Sequence, residues 1–293
     1  MVMEMTEEMS VAGISDRLIA AMDRTGCNAC VGLDPVLEKL PPAIDRTDPV
    51  HAIREFSLGV LESVAETVAC LKLQSACYER YGAAGVGVID ELLALAASHK
   101  LPVILDAKRG DIGISAAHYA AAAFERSSPA SWLTVNGYLG SETLEPYLEH
   151  GGIFVLVRTS NQGSAEFQSL RLDDGRTVSD AMADMVAALA APRRNAAGWS
   201  DVGAVVGATH PSEAEQLRDR MPGVVLLVPG IGAQGGCVAD CKPLCGADGH
   251  GAILTASRSV IYAPTQHGEL WTEAVATAAK SLAHETGTMA GLR

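Results

Sequence analysis

The residues best suited to chemistry sit in one stretch, Leu105-Asp106-Ala107-Lys108-Arg109-Gly110-Asp111-Ile112. Asp106 and Lys108 are two apart, so on a strand both side chains leave the same face. Charges on the inward face of a sheet are costly to bury without partners. Lys72, within Leu71-Lys72-Leu73-Gln74, offers a second cation from another apolar segment. Lys72, Asp106, Lys108 and Asp111 form an alternating set whose formal charges cancel. Such a set can keep a lysine protonated and put carboxylates beside a reacting centre. The plainer alternative is a solvated Asp106–Lys108 pair, with Asp111 as an N-cap after the glycine of a strand-to-helix turn.

A second cluster is Val228-Pro229-Gly230-Ile231-Gly232-Ala233-Gln234-Gly235-Gly236. A glycine-rich turn can present backbone N–H groups to a phosphate. Its G-x-G-x-x-G spacing comes too late in the chain for a dinucleotide fingerprint. Arg258 follows a later apolar run and suits a bidentate phosphate contact. The alternative is a tight turn and a surface arginine. Asp34, in Val31-Gly32-Leu33-Asp34-Pro35, can accept hydrogen bonds from sugar hydroxyls or simply make an Asp-Pro turn. Ser160, in Val157-Arg158-Thr159-Ser160-Asn161, can bind a polar ring edge or cap the next segment.

These residues need elements to position them. Eight short apolar runs end in polar or glycine residues: 29–34, 68–74, 101–106, 132–136, 152–160, 202–209, 224–229 and 251–257. Most lack polar alternation, as strands buried on both faces do. Between them, 49–67, 87–98, 111–126, 141–150, 177–190, 212–220 and 270–284 place Ala, Leu and Val at helical spacing. An early helix is expected over 11–22. Alternating strands and helices predict a single (β/α)8 barrel, with an open doubly wound sheet as the structural alternative. The barrel spans 11–285, with 1–10 and 286–293 as loose termini. In a barrel the carboxyl ends of strands carry the site. Those ends read Asp34, Lys72 and Gln74, Asp106 and Lys108, Asn136, Arg158 and Ser160, Thr209, Pro229 and Arg258. Two longer polar loops, 161–176 and 235–251, lie at that same end.

The 293 residues are 48% hydrophobic and 19% charged, ample for a large core and too little charged for a disordered chain. The 35 acidic against 22 basic residues give a net charge of −13, which argues against nucleic acid as the main partner. The acidic N-terminal stretch does not resemble a signal peptide, and no apolar run is long enough to span a membrane. A cytoplasmic protein with reduced thiols is expected from its seven cysteines. Cys27-x-x-Cys30 and Cys237-x-x-x-Cys241-x-x-x-Cys245 match no structural zinc or cluster spacing, and no metal is expected.

The pattern from about 13 to 263 resembles orotidine 5′-phosphate decarboxylases, specifically their longer bacterial branch. Asp106-Ala107-Lys108-Arg109-Gly110-Asp111-Ile112-Gly113 is similar to that family's D-x-K-x-x-D-I signature. Supporting stretches are Val31–Pro35 in number order 31–35, Lys72, Thr134-Val135-Asn136 with Tyr138-Leu139-Gly140, Arg158-Thr159-Ser160-Asn161, the Pro229 to Gly236 loop and Ser257-Arg258-Ser259-Val260-Ile261-Tyr262. The resemblance implies conversion of orotidine 5′-monophosphate to UMP and CO2 without metal or organic cofactor, in pyrimidine biosynthesis. It implies that Lys108 protonates C6, Asp106 sits beside the substrate carboxylate, and Lys72 bridges ribose and aspartates. It also implies a homodimer in which Asp111 enters the partner's site, with Ile112 and Ser115 lining it. Asp34 would bind ribose, Ser160 and Gln234 the pyrimidine, and Gly235 and Arg258 the phosphate; Asn136 and Pro229 complete the expected substrate site.

Leu73, Cys77-Tyr78, Gly137 and Ser115 depart from that branch's usual residues without removing a charged group. Two rivals remain at this level. Related barrel enzymes acting on keto-sugar phosphates share a D-x-K-x-x-D motif but use Mg²⁺ and a glutamate near the second strand end, where this chain has Lys72. A non-catalytic nucleotide-binding module would keep the glycine loop and Arg258 without needing the charge array.

Overall fold

The computed structural model describes residues 13–209, 211–232 and 235–293. The expected loose stretch 1–10 and the first two residues of the expected helix 11–22 lie outside them. Eight parallel strands close into a barrel in sequence order, with β1 pairing both β2 and β8. They are β1 (Ala29–Leu33), β2 (Cys70–Gln74), β3 (Val103–Arg109), β4 (Trp132–Val135), β5 (Gly152–Arg158), β6 (Val202–Val206), β7 (Leu226–Pro229) and β8 (Ala252–Ala256). The helices between them are α1 (Ile14–Thr25), α2 (Pro49–Val64), α3 (Ala76–Glu79), α4 (Gly82–Ser98), α5 (Gly113–Phe124), α6 (Glu145–Leu148), α7 (Ala165–Gln168), α8 (Val178–Ala190), α9 (Pro211–Arg220), α10 (Arg258–Ile261) and α11 (Trp271–Ala290). The architecture is the expected (β/α)8 barrel.

Strand parity sorts side chains into two cores. Val31, Leu33, Leu71, Leu73, Leu105, Leu133 and Val135 join the layer beneath the helices. Cys30, Cys70, Ile104, Trp132, Phe154, Val205, Leu227 and Ile253 fill the barrel interior, and Leu18 and Met22 of α1 pack with them. Trp132 and Phe154 meet with ring centroids 4.5 Å apart. Their bulk fits because Gly203 has no side chain; a Cβ there would stand 2.4 Å from the Phe154 ring. One step up the same inward parity come Lys72 on β2, Asp106 on β3 and Thr134 on β4. The apolar plug below thus forms the floor of whatever these residues line.

Local chemistry starts α2 and α8 where the sequence places them, whereas α4 begins at Gly82, five residues before its expected start at 87. Asp48 caps α2 by accepting the N–H groups of Val50 and His51, with Pro49 in the first turn. Thr177 and Asp180 form a capping box at α8. The segment expected as one helix over 141–150 instead splits into a 3-10 turn, Ser141–Leu144, and the short α6. Pro146 has no N–H to return to Glu142, so no α ladder passes through it. β3 runs three residues past its expected end, because its edge still pairs with β4 at Arg109 after a register shift.

The expected loose terminus 286–293 is ordered instead. α11 continues to Ala290, Thr286 is buried, and Arg293 donates to the carbonyls of Gly26 (3.0 Å) and Thr25 (3.2 Å). The fit is close: a Cβ on Gly287 would stand 2.1 Å from the Gly26 carbonyl oxygen. No helix of the described residues is long and apolar enough to cross a membrane.

Candidate active site

Asp106 is the hub at the carboxyl end of the barrel. Its Oδ1 accepts from Lys108 Nζ at 2.6 Å and from the Thr134 hydroxyl at 2.8 Å. Its Oδ2 lies 3.1 Å from Lys72 Nζ. With its amide nitrogen turned inward, Gln74 adds donors at 3.1 Å to Oδ2 and 2.8 Å to the Asp106 carbonyl. Lys72 Nζ also reaches Asp34 Oδ1 at 3.3 Å. Two carboxylates and two ammonium groups therefore run in the order Asp34, Lys72, Asp106, Lys108. Neighbouring strands make this possible, since Gly32 aligns with Lys72 and Gln74 with Asp106.

The electrostatics follow from the order. Burial works against the charge of Lys72, but Asp34 and Asp106 outweigh it and raise the lysine above its ordinary range. Burial likewise disfavours the Asp106 carboxylate, yet Lys72 and Lys108, helped by the Lys108 and Thr134 hydrogen bonds, bring its pKa down to about 2. Both groups are charged at neutral pH. Lys108 is the more open of the two lysines, its side chain 45% exposed against 7% for Lys72. It also has φ +49°, a left-handed backbone that aims its side chain back over the barrel mouth.

Two cavities meet at this array. One is lined by Asp34, Lys72, Asp106, Pro229, Ser257 and Arg258, among others. The other is lined by Lys72, Asp106, Lys108, Leu156, Ser160 and Val205, with Thr134, Asn161 and Pro229 nearby on its wall. Lys72, Asp106 and Pro229 belong to both. The first is polar and ends at Arg258, which makes no ion pair among the described residues. The second has apolar walls at Leu156, Val205 and Leu227, suited to the face of a flat ring. Tyr262 steadies Asp34: its hydroxyl donates to the Asp34 carbonyl at 3.3 Å and accepts the Val36 N–H at 2.7 Å.

The structure thus brings Asp34, Lys72, Asp106, Lys108, Ser160, Pro229 and Arg258 onto shared walls. Asp111, Ile112 and Ser115 line neither cavity of the single chain. Asp111 Oδ1 accepts the Ile112 N–H at 2.8 Å, and Ile112 is 62% exposed. Asn136 also stands apart, exposed, its Oδ1 accepting the Tyr138 N–H at 3.0 Å. Gly235 lines neither cavity; its N–H donates to the Gly232 carbonyl at 2.9 Å. Gln234 lies outside the described residues.

Three side chains have more to do than their sequence context announces. Thr134, Gln74 and Ser257 all face the cavities, and inward strand parity is the signal that points to each. Arg158, at the end of β5, is buried and turned away from the cavity. It pairs with Glu213 at 2.7 Å and donates to Ser164 at 2.5 Å and Gln168 at 3.3 Å. The cysteines of the 237–245 loop diverge, with Cys237 exposed and Cys241 buried. Among the described residues no group of three or more His, Cys, Asp and Glu side chains is placed to hold a metal ion.

A family model described as "Orotidine 5′-phosphate decarboxylase / HUMPS family" matches residues 28–270. The chain is 42% identical over 265 residues to an orotidine 5′-phosphate decarboxylase of Rhodopirellula baltica, across 84% of this chain and 87% of the relative. It is 43% identical over 242 residues to one of Thermomicrobium roseum, across 80% and 81%. A solved OMP decarboxylase of Leishmania donovani superposes with TM-score 0.78 at 32% identity, covering 95% of this chain and 99% of that one.

Proposed function

The chain belongs to the orotidine 5′-phosphate decarboxylase family, and from that premise we propose that it converts orotidine 5′-monophosphate to UMP and CO2 with Lys108 as proton donor. The observation that carries this reading is Asp106 held between two ammonium groups on the wall shared by a polar and an apolar cavity. A nucleotide fits that layout, with phosphate toward Arg258, ribose toward Asp34 and Lys72, and the pyrimidine in the apolar cavity beside Lys108 and Ser160. Pro229 lies between the two ends.

The reaction breaks the bond from C6 to the carboxylate and leaves the electron pair on C6. An ammonium fixed at that carbon stabilises the developing charge and delivers its proton, while water restores the lysine. Asp106 anchors Lys108 and sets a fixed negative charge beside the departing carboxylate. Binding at the phosphate end supplies energy that orients the ring. In this reading the reaction needs no metal or organic cofactor, and neither nucleic acid nor membrane is a partner. Lys72 at the second strand end, and relatives named orotidine 5′-phosphate decarboxylase, favour this substrate over keto-sugar phosphates. The seven free thiols suit a reducing compartment, and we place the protein in the cytoplasm.

Asp111, Ile112 and Ser115 enter this reading through a second copy of the chain. Asp111 and Ile112 lie between β3 and α5 and Ser115 in the first turn of α5, and in a homodimer this stretch completes the partner's site.

The test is CO2 release from orotidine 5′-monophosphate by metal-stripped protein. Turnover unchanged by EDTA and lost in Lys108→Ala is the expected result. Absence of turnover in the intact protein, or full turnover by Lys108→Ala, overturns the reading.

A further inference from the structure

Thr134 touches both halves of the Asp106–Lys108 pair and is itself almost wholly buried, at 1% exposure. Its oxygen receives the backbone N–H of Lys108 at 2.9 Å and lies 2.8 Å from Asp106 Oδ1. A hydroxyl carries a single proton, a backbone N–H can only donate, and an ionised carboxylate can only accept. The direction of both bonds is therefore fixed: Lys108 N–H to Thr134, and Thr134 O–H to Asp106.

The first bond holds a residue whose backbone is otherwise ill-suited to it. Lys108 has φ +49°, a conformation that residues other than glycine rarely adopt, and it lies where the register between β3 and β4 shifts. The Lys108 N–H thus finds its partner in a side chain of β4. The second bond adds a donor to the oxygen that already takes Lys108 Nζ at 2.6 Å. Oδ1 is then held from two directions, and the carboxylate plane cannot swing without breaking one of them.

We propose that Thr134 is a positioning residue for the decarboxylation, its hydroxyl fixing both the left-handed turn that presents the Lys108 ammonium and the orientation of the Asp106 carboxylate. The proposal rests on the reaction assigned above, and the geometry on which it stands does not. The charged and titratable groups around Asp106 are Lys72 from β2, Lys108 on β3 and Cys77 from α3, with Asp34 on the far side of Lys72 and Arg258 on the wall of the same cavity. Thr134 carries no charge, unlike the lysines and carboxylates among them, so its loss leaves the net charge of the site unchanged.

The experiment compares Thr134→Val, which keeps the shape without the hydroxyl, with Thr134→Ser, which restores the hydroxyl. In Thr134→Val, kcat is expected to fall about 10- to 100-fold, as for a lost hydrogen bond to a charged group, with KM within about threefold. The acid limb of its kcat profile moves to higher pH, and Thr134→Ser returns both toward the wild type. Independently of turnover, the Asp106 carboxyl titration followed by ¹³C NMR moves to higher pH in Thr134→Val. If that protein does not fold, Thr134→Ala takes its place in each measurement. A kcat within about twofold of wild type with an unmoved Asp106 titration overturns the proposal. So does a loss that Thr134→Ser fails to rescue. Failure of the wild type to turn over orotidine 5′-monophosphate overturns the reaction assignment alone, and the NMR titration still decides the role of Thr134.

Discussion

Asp106 is held in its charged form by Lys72, Lys108 and Thr134, and that arrangement ties stability to pH with a definite sign. Its folded pKa of about 2 lies below the unfolded carboxylate value of about 3.9. The contribution is present above pH ~4 and is lost as pH falls through ~2. Lys72 works at the other end: its raised pKa adds stability below the unfolded lysine value that disappears as pH climbs past the folded one. Urea melts of wild type and Asp106→Asn should therefore differ by on the order of 2 kcal/mol near pH 6 and converge toward pH 2. A gap that stays constant across that range would contradict the assigned ionisation. Much of this array is legible in the sequence, because a two-residue spacing puts Asp106 and Lys108 on one face and Lys72 ends another apolar run. The part played by Thr134 is not, since it depends on a left-handed residue and a register shift that no residue type announces.

Among the elements, β5 and the segments after it show how a wall of the site is kept in place. Arg158 ties Ser164 and Gln168 on one side to Glu213 of α9 on the other. Gln168 in turn accepts the Thr159 N–H at 2.9 Å and donates to the Thr159 hydroxyl at 2.8 Å. Residues 159–161, which line the apolar cavity, are thus clamped from behind. Arg158→Met should lower stability by about 1–3 kcal/mol, less than for a fully buried pair because Glu213 is half exposed. It should also raise KM about tenfold with a smaller change in kcat, the mark of lost binding. Thermal melts and saturation kinetics check both; an unchanged KM would show that the clamp does not reach the ligand. β1 offers a second case. A Cβ on Gly32 would stand 1.9 Å from Ser257 Oγ, on the wall of the polar cavity. Gly32→Ala should weaken UMP binding about tenfold or more by displacing Ser257, measured by calorimetry. The strands are legible as Val-, Ile- and Leu-rich runs, and so is the barrel they build. Their ends are less so, as β3 shows: pairing with β4 resumes at Arg109 beyond a register shift, although polarity suggests a stop at Asp106.

The whole molecule raises the question of why Asp111, placed by sequence in the charge array, stands away from the single chain's cavities. The surface around it supplies an answer. Ile112, Ile114, Tyr138, Leu139, Phe167 and Leu170 are all exposed, Ile114 at 76% and Tyr138 at 69%. They come from the segments after β3, β4 and β5, which are consecutive around the barrel, and Tyr138 meets Phe167 edge-on at 5.9 Å. Exposed apolar side chains along this rim are costly to leave in water, and the proposed second copy of the chain would cover them. Asp111 lies within that rim, so the same contact that buries Ile112 and Ile114 would carry Asp111 toward the partner's Lys108. Sequence can name the residue but not the chain it serves, because that depends on the outer face of the barrel mouth. Ile114→Glu should shift a dimer to monomer in light scattering and abolish turnover, leaving the barrel's circular dichroism unchanged. A monomer that retains full activity would separate Asp111 from the chemistry. The stricter test mixes two inactive proteins, Lys108→Ala and Asp111→Ala, under conditions of demonstrated subunit exchange. Half the dimers are then mixed, and each mixed dimer has one site with both residues intact. Activity should recover to about a quarter of wild type in a two-fold dimer with shared sites, and no recovery would mean that each chain supplies its own Asp111.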